Sequence, residues 1–408
     1  DCLLSRGLGD VYKRQVYDIA EGIKIRFTDV GHLLGSASIE VWATEKTENG
    51  DVTEKIVFSG DIGNINKPII KDPKHVRDAD YVVMESTYGN RSHGGTPNYV
   101  EDLTDIFKRT FERGGNVVIP SFAVGRTQEL LYIIRKIKED NLVGRDFDVY
   151  MDSPLAIEAT NIFIKNVESC FDDEAVELVR KGINPLSFPG LKYATTGDES
   201  KQINFDPNPK VIISSSGMCE AGRIRHHLKH NLWRPECTIV FVGYQAVGTT
   251  GRIIVDGAEE IKLFGEPIQI KAEIVQLKGS SGHADKDGLL CWINAFDTKP
   301  KKVFVVHGED SVCDEFTECL KEEYGYDAMA PYTGGSYDLI ADRVISEGVK
   351  ERKTRRTTST QRGKTVFDRL VAAGKRLMTV ITHNEGGTNK DLAKFTDQIN
   401  ALCDKWDR

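Results

Sequence analysis

The sequence predicts an α/β protein, and three patterns predict it. Residues 22 to 61 follow the texture of a β-meander, the chain beyond about residue 90 alternates strands with helices, and several strand-like runs end in an acid or an imidazole. The alternation implies a mostly parallel sheet with helices on its faces, because a parallel crossover needs a connection long enough to hold a helix. At 408 residues, 39% hydrophobic and 28% charged, the chain can form two compact units or one domain carrying a large insertion.

The elements follow in chain order. Residues 1–15, Asp1 to Gln15, carry neither helical nor strand periodicity and fit nothing downstream, so they are expected to be extraneous, with the natural gene extending further upstream. Ile23-Lys-Ile-Arg-Phe27 alternates as a strand beginning near Gly22. Ile39-Glu-Val-Trp42 and Glu54-Lys-Ile-Val-Phe58 are joined through Asn49-Gly50, which is hairpin chemistry. Val117–Ile119 precedes a helix expected near Gly125, Asp148–Met151 one near Pro154, and Val211–Ile213 one near Gly222. Strand texture returns from Ile268 to Val275, a helix covers Asp287 to Phe296, and Val303–Val306 leads to His307. The tail from about residue 346 is rich in Lys, Arg and Thr, then helical with a break at Gly386-Gly387, and fits an appendage or an oligomerisation helix.

Composition narrows the functional classes. No apolar run approaches the ~20 residues of a membrane-spanning helix, and the first residues lack the pattern of a secretion signal. The 8 cysteines are scattered without a C-x-x-C pair, which points to reduced thiols in a cytoplasmic protein and away from a four-cysteine structural zinc. A net charge of -8 argues against indiscriminate coating of nucleic acid. A local basic track remains open along Arg223-Ile-Arg-His-His-Leu-Lys-His230 with Arg252, beside the plainer alternative of a solvated helix face.

Five residues carry the chemistry: His32, Asp61, Glu85, His283 and His307. In Phe27-Thr-Asp-Val-Gly-His32, Ile56-Val-Phe-Ser-Gly-Asp61, Tyr81-Val-Val-Met-Glu85 and Val303-Phe-Val-Val-His307, an apolar run leads to the polar residue, with a Gly or another small residue beside it. Buried strands that end this way place such side chains at one rim of a sheet. His and Asp are ligand types that suit zinc. Gly60 and Gly63 flank Asp61, so the backbone can turn sharply and leave the carboxylate free to bridge two cations. The structural alternatives are a rim histidine for His32 or His307, a helix cap or surface imidazole for His283, and an N-cap or surface carboxylate for Glu85.

These strings have a family context. Gly31-His-Leu-Leu-Gly-Ser-Ala37, Ser59-Gly-Asp-Ile-Gly-Asn64, Met84-Glu-Ser-Thr-Tyr-Gly89, Ile119-Pro-Ser-Phe-Ala-Val-Gly-Arg126, Asp152-Ser-Pro-Leu-Ala156, Gly248-Thr-Thr-Gly-Arg252, Ser281-Gly-His-Ala-Asp285 and Val306-His-Gly-Glu309 occur in this order. Over Val16 to Ala341 the chain resembles the β-CASP nucleases, metallo-β-lactamase-fold enzymes that include ribonuclease J and the nuclease subunit of the eukaryotic mRNA 3′-end cleavage complex. The resemblance implies an αβ/βα sandwich interrupted by an α/β β-CASP domain. Its segments would be 16–90 and 266–345 for the metallo-β-lactamase part, 91–265 for the insertion, and 346–408 for the tail.

The resemblance also implies roles. His32 would bind one Zn2+, His307 a second, and Asp61 would bridge both. His283 would stand near the scissile phosphate as general acid, oriented by Glu85. Two such cations lower the pKa of a shared water to roughly 7 and supply hydroxide, and a positioned imidazole can protonate the leaving oxygen. Ser215, Ser216, Gly217 and Arg223 resemble a family loop at a helix start that could hold RNA phosphate, with Arg126 and Arg252 acting similarly; ordinary βα turn chemistry is the alternative. His226, His227 and His230 are expected at the surface. A histidine at the position of His307 goes with RNA-cleaving members, so RNA is the expected substrate, with a homodimer as the candidate protein assembly. The family's His-x-His-x-Asp-His motif does not occur in the sequence, so the chain as it stands is expected to bind metal poorly and cleave slowly or not at all. The rivals are a β-CASP nuclease acting on DNA, a non-catalytic RNA-binding scaffold, and a di-iron oxidoreductase on the same fold.

Overall fold

The computed structural model describes residues 15–350 except 93, 95–97 and 278–280, and parts of 370–406. Nearly all of the segment expected to be extraneous, the Lys/Arg/Thr-rich stretch and the Gly386-Gly387 break lie outside the described residues. The chain divides into a unit ending at Val349 and a second unit from Lys350. In the second, Asn389–Trp406 is a helix.

The first unit is built on two main sheets. Its opening strands are β1 Tyr17–Ala20, β2 Ile23–Asp29, β3 Ala37–Thr47, β4 Gly50–Phe58 and β5 Tyr81–Glu85. Strands β1 to β4 form the expected antiparallel meander, with Thr47 pairing Gly50, the first residue of β4, across a turn of Glu48 and Asn49. Strand β1 was not expected from the sequence. It turns into β2 through Gly22, whose φ of +72° few side chains adopt.

The α/β region then runs α1 Tyr99–Glu112, β6 Val117–Pro120, α2 Arg126–Glu139, β7 Asp148–Asp152, α3 Pro154–Lys165, α4 Val167–Cys170, α5 Asp173–Arg180, β8 Leu191–Tyr193, α6 Gly197–Phe205, β9 Lys210–Ser214, α7 Ile224–Asn231, β10 Thr238–Phe241 and α8 Thr250–Val255. The three expected strand-to-helix steps occur at β6–α2, β7–α3 and β9–α7. A hairpin of β11 Glu260–Leu263 and β12 Glu266–Gln269 follows, then β13 Glu273–Gln276. The chain closes with α9 Lys286–Ile293, β14 Lys302–Val306, α10 Asp310–Glu322, β15 Ala328–Met329, β16 Ser336–Asp338 and β17 Arg343–Ser346.

The first sheet has the order β1-β2-β3-β4-β5-β14-β15, and the second β13-β10-β6-β9-β7-β8. All pairings of the second sheet are parallel. Strand β13 belongs to it, beside β10. The crossover back to the first sheet therefore comes after Gln276, later than the return near Ile268 expected from the sequence. The apolar run there pairs with β11 and β10 instead.

Burial explains the layers. Val57, Val82, Met84 and Val305 lie under Leu289, Trp292 and Ile293 of α9 and Phe316 and Leu320 of α10. In the second sheet Val117, Ile119, Val149, Val211 and Ile213 pack with α1 and α2, while Val118, Ile212, Ile239 and Phe241 pack on the opposite side with α7. Its central strands β10, β6 and β9 are buried on both sides, as continuous Val/Ile runs require. One mixed and one parallel sheet, each packed against helices, make this an α/β protein, as the sequence predicts. Among the described residues no helix is long and apolar enough to cross a membrane, and all described cysteines are free.

Candidate metal centre and substrate cleft

Three loops laced by backbone hydrogen bonds assemble the site. The Gly63 amide donates to the Val30 carbonyl (2.8 Å), the Asn64 amide to Gly282 (3.1 Å), and the Ala284 amide to Ile62 (2.8 Å). A Cβ on Gly63 would lie 2.0 Å from the Gly31 carbonyl oxygen, so only glycine lets the His32 and Asp61 loops approach this closely. Gly60 turns at φ +62°, as its position before Asp61 suggested.

The Ser36 hydroxyl accepts from the amides of His32 (3.0 Å) and Leu33 (3.1 Å), closing the His32 loop. The imidazole Nδ1 lies 3.2 Å from the Gly282 carbonyl. A carbonyl only accepts, so Nδ1 carries the proton and Nε2 is left as a ligand atom. That Nε2 is 3.9 Å from Asp61 Oδ2, while His307 Nε2 is 3.3 Å from Asp61 Oδ1. Asp61 thus offers one oxygen to each imidazole, the arrangement a carboxylate needs to bridge two cations. Burial, then the neighbouring His283 and Lys67, hold the His32 imidazole below its ordinary pKa and keep it neutral. His307 has φ +51°, strained for a residue with a Cβ, at the end of β14.

Glu85 ends β5 almost fully buried, 2% exposed. It accepts from the amides of Ile62 and Thr87. His283 Nδ1 lies 3.2 Å from both of its oxygens. Burial alone would raise the Glu85 pKa, but the hydrogen bonds from His283, Thr87 and Ile62 outweigh it and hold the carboxyl below its usual range. The acid is ionised and accepts from Nδ1 of His283. His283 does not cap α9; Asp285 does, accepting from the Gly288 amide at 3.0 Å.

The rings of His32 and His283 are 4.3 Å apart, and those of His283 and His307 6.1 Å. One ligand atom each from His32, Asp61 and His283 lies within 4.8 Å of the others. The donor set fits a divalent cation of zinc type: a neutral imidazole with its distal nitrogen tied, a two-sided carboxylate, and two further imidazoles. Geometry alone groups His283 with His32 and Asp61. Its tie to Glu85 is equally compatible with holding a proton, so its role is a matter of chemistry.

A cleft of about 570 Å3 opens between the rim of the first sheet and the carboxyl ends of the second. His32, Thr87, Tyr88 and His283 line one wall, and Pro120–Val124, Gly217, Met218 and Val242–Gln245 the other. In open α/β sheets this end of the strands is where ligands bind.

Of the six positions expected to meet phosphate, Arg126 and Gly217 line this cleft. The other four are not among its lining residues. Arg223 donates to Asp152 Oδ1 (2.7 Å) and to the carbonyls of Ala194 and Thr195 (both 2.9 Å), so a buried carboxylate draws its guanidinium away from the cleft. Arg252 pairs with Asp256, the residue that ends its helix, and Ser216 accepts from the Ala221 amide. Helix α7 begins beyond the Ser215–Gly217 loop, at Ile224. His227 corrects the expected surface position: it is fully buried, its Nε2 2.6 Å from Asp152 Oδ2 and its Nδ1 2.9 Å from Asn204 Oδ1.

One network had no sequence signal beyond ordinary charged residues. Lys67 Nζ donates to the His32 carbonyl (2.8 Å) and pairs with Glu129 of α2 (3.3 Å), which also pairs with Arg126 (2.5 Å). It ties the His32 loop to the second sheet's helix. Lys67 and Glu129 are nearly buried, with side chains 9% and 8% exposed.

Residues 127–254 match the Beta-Casp domain, and residues 267–331 the Zn-dependent metallo-hydrolase RNA specificity domain. The chain is 35% identical over 288 residues to the Thermus thermophilus protein named Ribonuclease TTHA0252, covering 71% of this chain and 63% of that one. It is 35% identical to the RNase J-like protein of Methanocaldococcus jannaschii (71% and 65% covered) and 34% identical to Transcription termination factor FttA of Methanosarcina mazei (78% and 50%). The chain belongs to the β-CASP metallo-β-lactamase family. It spans about half to two thirds of the length of these curated relatives. Seen as a β-CASP protein, its cleft lies between the part matching that domain and the rim bearing His32, Asp61 and His283.

Proposed function

We propose that this β-CASP protein is a zinc-dependent ribonuclease that hydrolyses phosphodiester bonds in the cleft between its two sheets. One observation carries the proposal: Asp61 reaches His32 on one side and His307 on the other, with the Glu85–His283 pair beside them. In this reading His32, Asp61 and His307 would hold the zinc. Bound there, the metal would lower the pKa of a water and neutralise charge on the phosphate.

The chain's own residues supply the rest. Glu85, ionised and buried, accepts from Nδ1 and so fixes the ring of His283, which serves as general acid to the departing oxygen. Lys67 and Ser36 keep the His32 loop in place. RNA is favoured as substrate by the match to the RNA specificity domain and by relatives named as ribonucleases. Relatives named as transcription termination factors favour a second setting for the same chemistry, transcription termination.

The test is incubation of the protein produced from its whole gene, with zinc, on matched RNA and DNA oligonucleotides, beside Asp61→Ala. RNA cleavage lost in the variant and in chelator is expected. Preferential DNA cleavage, or RNA cleavage retained by Asp61→Ala, would refute the proposal.

A further inference from the structure

His307 sits in a backbone conformation that costs free energy, and the residues that hold it there lie at the end of the neighbouring strand. Its φ of +51° is one that a residue with a Cβ keeps only where the surroundings over-determine it. Strands β5 and β14 run side by side up to Glu85 and Val306, and the two residues after Glu85 supply the restraint. The Ser86 hydroxyl donates to the Val306 carbonyl (3.0 Å), the Ser86 amide to the His307 carbonyl (3.3 Å), and the Thr87 hydroxyl to the same His307 oxygen (3.3 Å). The carbonyls on both sides of the His307 α-carbon are therefore tied, and both lone pairs of the His307 oxygen are used. This restraint matters because the His307 side chain is 59% exposed: little packing aims the ring, and its Nε2 stands 3.3 Å from Asp61 Oδ1 because the backbone points it there.

Helix α10 completes the clamp. Ser86 is fully buried, and its one hydroxyl proton goes to a carbonyl, which only accepts, so the Cys313 thiol 3.1 Å away donates to it. Gly308 leaves room for this chain of bonds: a Cβ there would stand 2.6 Å from Ser86 Oγ and 3.2 Å from Cys313 Sγ. We propose that Ser86 and Thr87, backed by Cys313, are positioning residues that hold His307 in its left-handed conformation, aim its imidazole at Asp61, and so set how tightly the site binds its divalent metal. Released, His307 relaxes to negative φ and carries Nε2 away from Asp61. Thr87 also reaches the other half of the site, since its amide donates to Glu85 (3.2 Å). Its hydroxyl serves His307, so substitution separates the two roles. The inference rests on the zinc ribonuclease reading and deepens it.

Zinc affinity tests it, read on the protein produced from its whole gene by competition with a chromophoric chelator and without RNA. Thr87→Val removes the hydroxyl while keeping the size of the side chain and the amide, and should weaken zinc binding about ten-fold, the lower end of what losing a ligand's support costs. Thr87→Ser keeps the hydroxyl and should restore it. Gly308→Ala drives a methyl group into Ser86 and should weaken binding as well. In a His307→Ala background Thr87→Val should change nothing further, because the residue it serves is gone. A merely structural role would lower the melting temperature in both backgrounds and leave zinc affinity alone. Wild-type affinity in Thr87→Val and Gly308→Ala, a Thr87→Ser as weak as Thr87→Val, or an undiminished loss in the His307→Ala background would overturn the proposal. If the wild type binds zinc and cleaves RNA while the variants match it, only the positioning role falls. If the wild type binds no zinc, the ribonuclease reading falls and takes this role with it.

Discussion

Replacing Glu129 by Gln should destabilise the first unit more than any other change in the Lys67–Glu129–Arg126 network. Among the described residues Glu129 is the anion that both Lys67 and Arg126 pair with, and burial would raise its pKa were Arg126 and Lys67 not holding it down. With the carboxylate gone, Lys67 and Arg126, with side chains 9% and 15% exposed, face each other without it. An uncompensated buried charge costs about 3–5 kcal/mol. The unit ends at Val349, so its unfolding entropy is roughly 0.7 kcal/mol/K at about 2.1 cal/mol/K per residue, and the melting temperature should fall by about 4–7 °C. Lys67→Met is milder, about 1–2 kcal/mol, because Glu129 keeps Arg126. The double variant should lie closer to wild type than the sum of the two, since the second change removes the charge the first one strands. Differential scanning calorimetry of the four proteins measures this. A Glu129→Gln variant no less stable than Lys67→Met, or a strictly additive double variant, would refute the reasoning.

Two further outcomes are expected. Glu85→Gln removes the anion that orients His283, so kcat for RNA cleavage should drop by roughly 10²–10⁴ with KM little changed, and a variant with wild-type kcat would dismiss Glu85 as a positioning residue. Asp152 accepts from His227, Ser200 and Arg223, and these outweigh burial to hold its pKa below the ordinary 3.8. Its stabilisation is therefore complete above pH 3.8 and lost as pH falls through the lower folded value. Asp152→Asn should cost about 3 kcal/mol near pH 7, with the gap to wild type closing below pH 3.8. Urea unfolding across that range checks it, and a gap independent of pH would contradict the assignment.

What could be learned from the sequence by itself was local. The period-2 runs marked the meander, the strand-to-helix steps after β6, β7 and β9 matched their turn residues, and the acids and imidazoles at strand ends marked His32, Asp61, Glu85 and His307 as one rim. These signals survive because each depends on neighbours a few residues away. The short strand β1 escaped because its alternation is too brief to stand out. Pairing is another matter: nothing within Glu273–Gln276 says that it joins β10 and not the first sheet, since strand partners are chosen by register and packing far along the chain. The same holds for charge. Arg223 looked like a phosphate ligand and His227 like a surface residue until a buried Asp152, 71 and 75 positions away, claimed both. Nothing local to Lys67 or Glu129 says that the fold buries them against each other. Sequence determined which side chains could do chemistry and which runs would be strands. Tertiary structure decided which of them meet, because burial and partner distance, which set the cost of every charge and the orientation of every ring, exist only once the two sheets are packed.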